Sequence, residues 1–249
     1  MFFVFSSPEA LARHLSLQLL QLIQKKPTAI LGLATGSTME PVYHNLCKLI
    51  HDHQTPLGQL TTFNLDEYVG LAPEHPQSYN YYMHQHLFNP AGFDDSRCFL
   101  PRGICADMQR ECKEYSEKIQ ACGGLDFQLL GIGTNGHIGF NEPYTPFDSL
   151  THIVELSENT RIDNGRFFDN WDDVPTHAVT MGIKDIMGAK EIVLAATGAH
   201  KAEVMAQLFQ SSVDEAMPAS ILKTHPCIRI YVDEQAAALI PAEQLTKID

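Results

Sequence analysis

Short apolar runs alternating with longer helical patterns constrain this chain more than any other feature. Strand-length runs occupy Phe2–Phe5 and residues 28–33, 60–65, 126–132, 191–196 and 228–232. Most are continuous, predominantly apolar runs, the pattern of strands covered on both faces. Helical patterns lie between them. The first opens at Ser7-Pro8-Glu9, with Ser as N-cap and Pro in the first turn, and Leu11, Leu15, Leu19, Leu22 and Ile23 form its apolar face. Residues 41–51, 78–87, 107–121, 199–209 and 234–239 are the others. This alternation predicts an α/β fold: a doubly wound, mostly parallel, Rossmann-like sheet with helices on both faces. The chain has 249 residues and no repeat, low-complexity tract or linker. A single domain over 1–249 is therefore expected.

In open α/β sheets, ligands sit at the carboxyl ends of strands, and each motif that could carry chemistry follows a strand. Gly131-Ile132-Gly133-Thr134-Asn135-Gly136-His137-Ile138-Gly139-Phe140-Asn141-Glu142-Pro143 is the most informative. Glycine lets a backbone take positive φ and approach a ligand closely, and histidine exchanges protons near neutral pH. Asn135 and Glu142 are placed to hold the His137 ring by hydrogen bonds. Leu31-Gly32-Leu33-Ala34-Thr35-Gly36-Ser37-Thr38 runs from a strand into a helix. It reads either as a phosphate cradle at a helix N-terminus or as a tight capped turn. Neither a Walker loop nor a dinucleotide fingerprint is present. Phe63-Asn64-Leu65-Asp66-Glu67-Tyr68 ends a strand in two carboxylates. One of them can face a cleft as general base, because adjacent strand side chains alternate; a solvated acidic turn is the plainer reading. Arg161, Arg166 and Lys201 are cations that could grip a phosphate or simply face solvent. The polar interval 143–180 reads as an active-site lid or as an ordinary surface excursion with one or two short helices.

The formal charge of −13 argues against nucleic acid or an anionic membrane surface as partner. No apolar run approaches the ~18 residues of a membrane span, and the start carries no basic region, so it reads as a strand, not a signal peptide. Six cysteines without a C-x-x-C pair suit thiols in a reducing cytoplasm. The pairs His51/His53 and His84/His86 fall in helical segments, where residues two apart diverge. No metal site is expected.

Taken in order, Leu31 to Thr38, Phe63 to Gly70, Gly131 to Pro143, Arg161 to Asn170 and Gly198 to Ala202 resemble the glucosamine-6-phosphate deaminase family across most of the chain. The resemblance implies conversion of glucosamine 6-phosphate and water to fructose 6-phosphate and ammonia, in amino-sugar catabolism. It implies no metal or organic cofactor, a small-molecule sugar phosphate as partner, and a cytoplasmic enzyme. It assigns His137 to ring opening, with Asn135 and Glu142 orienting it, and Asp66 to proton transfer between C2 and C1. It assigns the phosphate to Gly36, Ser37 and Thr38 with Arg166 and Lys201, and puts Thr35 against the sugar. Glu67 would be supporting only. Many relatives carry Pro where Ala34 stands and Gly where Ser37 stands. Relatives regulated by N-acetylglucosamine 6-phosphate carry basic residues shortly after the N-E-P motif. Residues 144–160 here contain no Lys or Arg, and the chain ends soon after its last strand and helix, where regulated hexamers run longer. An unregulated monomer or small homo-oligomer is expected. A 6-phosphogluconolactonase-like hydrolase is the nearest alternative, although its relatives usually follow the loop His with a Thr-Ala-Ser-Leu-Phe-like run. A sugar-phosphate-sensing regulator is another, although the strand-like start leaves no room for a DNA-binding module.

Overall fold

Ser7 takes an extended conformation (φ −159°) and its side chain accepts from the Ala10 N–H. This starts α1 (Pro8–Lys25) directly after β1 (Phe2–Phe5). Leu11, Leu15, Leu19 and Ile23 bury α1's apolar face. The structure, a computed structural model, describes residues 1–165 and 168–248 apart from the side chain of Asp163. The chain continues through β2 (Ile30–Leu33), α2 (Glu40–Asp52), β3 (Thr61–Asn64), β4 (Asp66–Tyr68), α3 (Tyr79–Met83), α4 (Asn89–Ala91), β5 (Cys98–Phe99), α5 (Met108–Ala121) and β6 (Phe127–Leu130). Next come β7 (His152–Glu155), α6 (Glu158–Gly165), β8 (His177–Thr180), α7 (Ile183–Met187), β9 (Ile192–Ala196), α8 (Ala202–Gln210), β10 (Ile228–Asp233) and β11 (Thr246–Ile248).

Eight strands form one sheet in the order β11-β1-β10-β9-β6-β2-β3-β5. All its pairings are parallel. Every residue of β3, β6 and β9 is buried, as strands sandwiched between helical layers require. From β2 the chain builds outward through β3 and β5. It then returns to β2's other side with β6 and proceeds through β9 and β10. The sheet therefore reverses direction between β2 and β6, and the loops leaving their carboxyl ends open a crevice there.

The structure departs from the sequence reading in several places, and the edge strands β5 and β11 and the short α7 lie outside the expected elements. The interval 143–180 holds β7 and β8, which pair antiparallel with β4 in a second sheet of order β4-β8-β7. Leu65 is the corner: its N–H donates to Leu33 O in the main sheet, and its carbonyl accepts from Met181 N at the edge of the small one. Residues 234–239 form turns, not a helix. Asp233 caps them through the Ala236 N–H, and Pro241 cannot prolong them. The helix expected over 78–87 passes through a π turn at His84–Phe88. Pro90 has no N–H for the carbonyl of His86; the thiol of Cys47 on α2 approaches that carbonyl instead (3.7 Å).

Candidate active site

The β2–α2 loop supplies one wall of the crevice. Gly36 has φ +110°, a conformation that favours glycine. The turn closes when Met39 N donates to Gly36 O (2.9 Å). Among the described residues, the N–H groups of Gly36, Ser37 and Thr38 have no hydrogen-bond partner. They stand at the N-terminus of the 13-residue α2, where the helix dipole adds positive potential.

The opposite wall is the loop after β6. Gly136 and Gly139 adopt φ +84° and +58°. Gly133 N donates to His137 O (2.9 Å) and Gly136 N to Gly133 O (3.0 Å). The His137 ring folds back over Gly133 so closely that a Cβ there would lie 2.2 Å from ring carbon Cε1. A glycine is therefore required at 133. Asn135 and Glu142 do not line the cavity; they stand behind His137. Neither holds the ring by a direct hydrogen bond, as the sequence suggested. Asn135 Oδ1 accepts from the His137 backbone N–H (3.3 Å), Asn135 Nδ2 donates to Glu142 Oε2 (2.6 Å), and that oxygen lies 3.8 Å from His137 Nδ1. The other Glu142 oxygen accepts from the hydroxyls of Ser157 and Thr160. Burial opposes the Glu142 charge, but the neighbouring His137, Thr160 and Asn135 outweigh it and hold the carboxyl down at about 2. Glu142 is thus a fixed anion beside the ring, joined to α6.

Asp66 is the first residue past the corner at Leu65, and the strand alternation of β4 turns it into the cavity. It is 7% exposed, and its carboxylate makes no hydrogen bond to the described residues. Burial, reinforced by the adjacent Glu67, pushes its carboxyl up to about 8. Glu67 faces the other way. Its carboxylate accepts from the N–H groups of Tyr68 (2.9 Å), Tyr79 (3.0 Å) and Asn80 (2.9 Å), the last two opening α3. Burial still raises it to about 7.

These walls enclose a cavity of about 600 Å³ lined by Thr35, Gly36, Ser37, Thr38, Asp66, His137 and Lys201, with Tyr68, Tyr79, Tyr82, Phe140, Thr160, Asn164 and Phe168. Lys201 follows β9, and its Nζ donates to Ile132 O (2.8 Å). The Thr38 and Thr197 hydroxyls meet at 3.3 Å, tying the β2 and β9 loops together. Arg166 lies outside the described residues. Arg161 does not line the cavity; its guanidinium stacks over Trp171 at 4.5 Å and donates to Val174 O. Sequence reasoning missed the aromatic wall and Thr160. Tyr79, Tyr82 and Phe168 reach the cavity only through the packing of α3 and the interval after α6, and no local motif marks them.

Comparison with known proteins gives the family and the fold. The family model for glucosamine-6-phosphate isomerases/6-phosphogluconolactonase matches residues 6–230. A glucosamine-6-phosphate deaminase of Geobacillus sp. (strain WCH70) is 48% identical over 89% of this chain and 88% of its own length. That of Bacillus pumilus (strain SAFR-032) is 47% identical over 94% and 98%. The solved structure of a monomeric glucosamine-6-phosphate deaminase superposes with a TM-score of 0.93 at 41% identity, covering 96% of this chain and all of that one. The 6-phosphogluconolactonase of Trypanosoma brucei, at 19% identity and a TM-score of 0.75 over 97% of this chain and all of its own, shares the fold. The chain belongs to the glucosamine-6-phosphate isomerase/6-phosphogluconolactonase family.

Proposed function

We propose that this chain is a glucosamine-6-phosphate deaminase, converting glucosamine 6-phosphate and water to fructose 6-phosphate and ammonia, and that Asp66 and His137 carry the chemistry. One observation carries the reading. A buried carboxylate and an imidazole line a single cavity that also holds the N-terminus of α2 and the Lys201 side chain. The phosphate sits against Gly36, Ser37 and Thr38 with Lys201, joined by Arg166, and Thr35 contacts the sugar. His137 takes the proton of the anomeric hydroxyl and returns it to the ring oxygen as the C1–O5 bond breaks. Asn135 fixes the loop and Glu142 supplies the charge that steadies an imidazolium. Asp66 then removes the C2 proton, made acidic by the new carbonyl, and delivers it to C1, while O1 takes up a proton and the C2 amine gives one up. The resulting imine at C2 takes up water, and ammonia leaves.

The charge environment favours an amino sugar. A cationic amine brought beside Asp66 opposes the burial that holds the proton on that carboxyl, so the substrate helps to ionise its own base. The whole of 1–249 acts as one catalytic domain, a cytoplasmic enzyme working as a monomer or small homo-oligomer. Within 143–180, α6 and Phe168 belong to the lid. Thr160, Asn164 and Phe168 supply its inner face, and β7 and β8 serve as its frame. A coupled assay for ammonia and ketose phosphate, run over several phosphorylated sugars, tests the reading. Ammonia and fructose 6-phosphate in equal amounts from glucosamine 6-phosphate are expected; hydrolysis of a phosphogluconolactone without ammonia release would replace this reading with the lactonase one.

A further inference from the structure

Glu67 is almost wholly buried, yet it lies outside the cavity and takes no part in the proton transfers above. A buried carboxylate is costly to keep, so its contacts point to what it does. It accepts three backbone N–H bonds, from Tyr68 on its own strand and from Tyr79 and Asn80 in the first turn of α3. The strand that carries Asp66 is thereby fastened to α3. From the same helix the Tyr82 hydroxyl donates to the carbonyl of Gly36 (2.8 Å), inside the β2–α2 loop. Tyr79, one turn earlier, donates to the Tyr68 hydroxyl (3.2 Å). A continuous chain of contacts therefore runs from the base, through Glu67 and α3, to the loop whose N–H groups face the cavity.

We infer that Glu67 is a positioning residue for the phosphate-binding loop, acting through α3 and the Tyr82–Gly36 hydrogen bond. The inference deepens the deaminase reading and rests on its assignment of that loop to phosphate. Its physical content is a coupling: Tyr82 can orient Gly36 only while α3 is fixed, and Glu67 is what fixes α3's first turn. Groups that act through one another lose less together than the product of their separate losses.

The test is a double-mutant cycle with inorganic phosphate as the probe, its affinity measured by calorimetry at one fixed pH. Tyr82→Phe alone is expected to weaken phosphate binding about fivefold, the worth of one neutral hydrogen bond. Glu67→Gln removes the charge and puts an amide donor against one of the N–H groups; it is expected to weaken binding by at least as much. In the Glu67→Gln background, Tyr82→Phe should then cost roughly twofold or less. Where Glu67→Gln fails to fold, as its melting curve shows, Glu67→Asp serves in the same cycle, keeping the charge but losing the reach. Multiplying losses, a Glu67 variant that binds phosphate as tightly as wild type, or a wild type that binds no phosphate would each overturn the inference. The readout needs no turnover, so the wild-type ammonia assay tests the deaminase reading separately.

Discussion

Replacing Asp66 by Asn should abolish turnover and at the same time stabilise the protein, by an amount that grows with pH. The carboxyl is pushed from 3.8 to about 8, first by burial and then by the Glu67 charge. A carboxyl raised in this way binds its proton more tightly folded than unfolded. Its contribution to stability is complete below about pH 4 and is lost as pH rises towards about 8. At about 1.36 kcal/mol per pH unit, wild type loses about 4 kcal/mol from this site between pH 5 and pH 8. An Asn amide carries no charge at either pH and escapes that loss. Water in the cavity screens part of the effect, so about 4 kcal/mol is a ceiling and about half of it is the expected gap. For a chain of this length that gap corresponds to roughly 4–8 °C in melting temperature. Thermal melts of both proteins at pH 5, 6, 7 and 8 measure it. Curves that run parallel across this range, or an Asp66→Asn variant that falls progressively behind wild type as pH rises, would refute the placement of an uncompensated carboxyl at this site.

His137→Gln should slow turnover of the closed-ring substrate more than that of an open-chain analogue entering after ring opening; equal losses in kcat/KM would argue against the ring-opening role. Lys201→Ala should chiefly raise KM, by roughly 10–100-fold for one charged hydrogen bond lost from a phosphate, and an unchanged KM would remove Lys201 from the phosphate site. Initial rates should be hyperbolic in glucosamine 6-phosphate and indifferent to N-acetylglucosamine 6-phosphate; sigmoidal rates relieved by that ligand would overturn the expectation drawn from the absence of Lys and Arg over 144–160.

The core of the parallel sheet was legible because burial on both faces keeps its strands largely apolar, with Ile192–Ala196 apolar at every position and Gln128 the one polar residue of Phe127–Leu130. The second sheet was not. His152–Glu155 and His177–Thr180 are four residues each, carry polar side chains, and become strands through pairing with β4 and each other. The turns at 234–239 read as a helix because Ala and Leu favour one, but Pro241 ends the segment before a second turn can form. Asp66, His137 and the β2–α2 loop were visible because each lies in a short motif at a strand end. The partners of Glu67 lie 12 and 13 residues further on, and those of Glu142 lie 15 and 18 residues on. No local spacing rule links such positions; only the packing of α3 and α6 does. The same distance explains why Asn135 and Glu142 were assigned to the ring itself, whereas the fold places them one layer behind it.

That layering has a consequence for how the site tells an amino sugar from its hydroxyl counterpart. Burial raises both Asp66 and Glu67, but three backbone N–H donors oppose the rise at Glu67, whereas the Glu67 charge adds to it at Asp66, so Asp66 is the carboxyl that holds its proton against burial alone. The phenols of Tyr68 and Tyr79 stand close by, and burial keeps both protonated. Among the described residues, Asp66 has no cationic partner within ion-pair distance. An ammonium group on the ligand would supply a charge beside Asp66. Binding an open-chain 2-amino alditol 6-phosphate at pH 7, which lacks the carbonyl needed for turnover, should therefore release a proton from Asp66 to the buffer. The alditol 6-phosphate bearing a hydroxyl at that carbon should release less. Calorimetry of both ligands in buffers of different ionisation enthalpy reads the proton count directly. Asp66→Asn should bring the two counts together. Equal proton release by both ligands on the wild-type protein would show that the carboxyl at 66 does not meet the amine, and the proposed division of labour between Asp66 and His137 would fall with it.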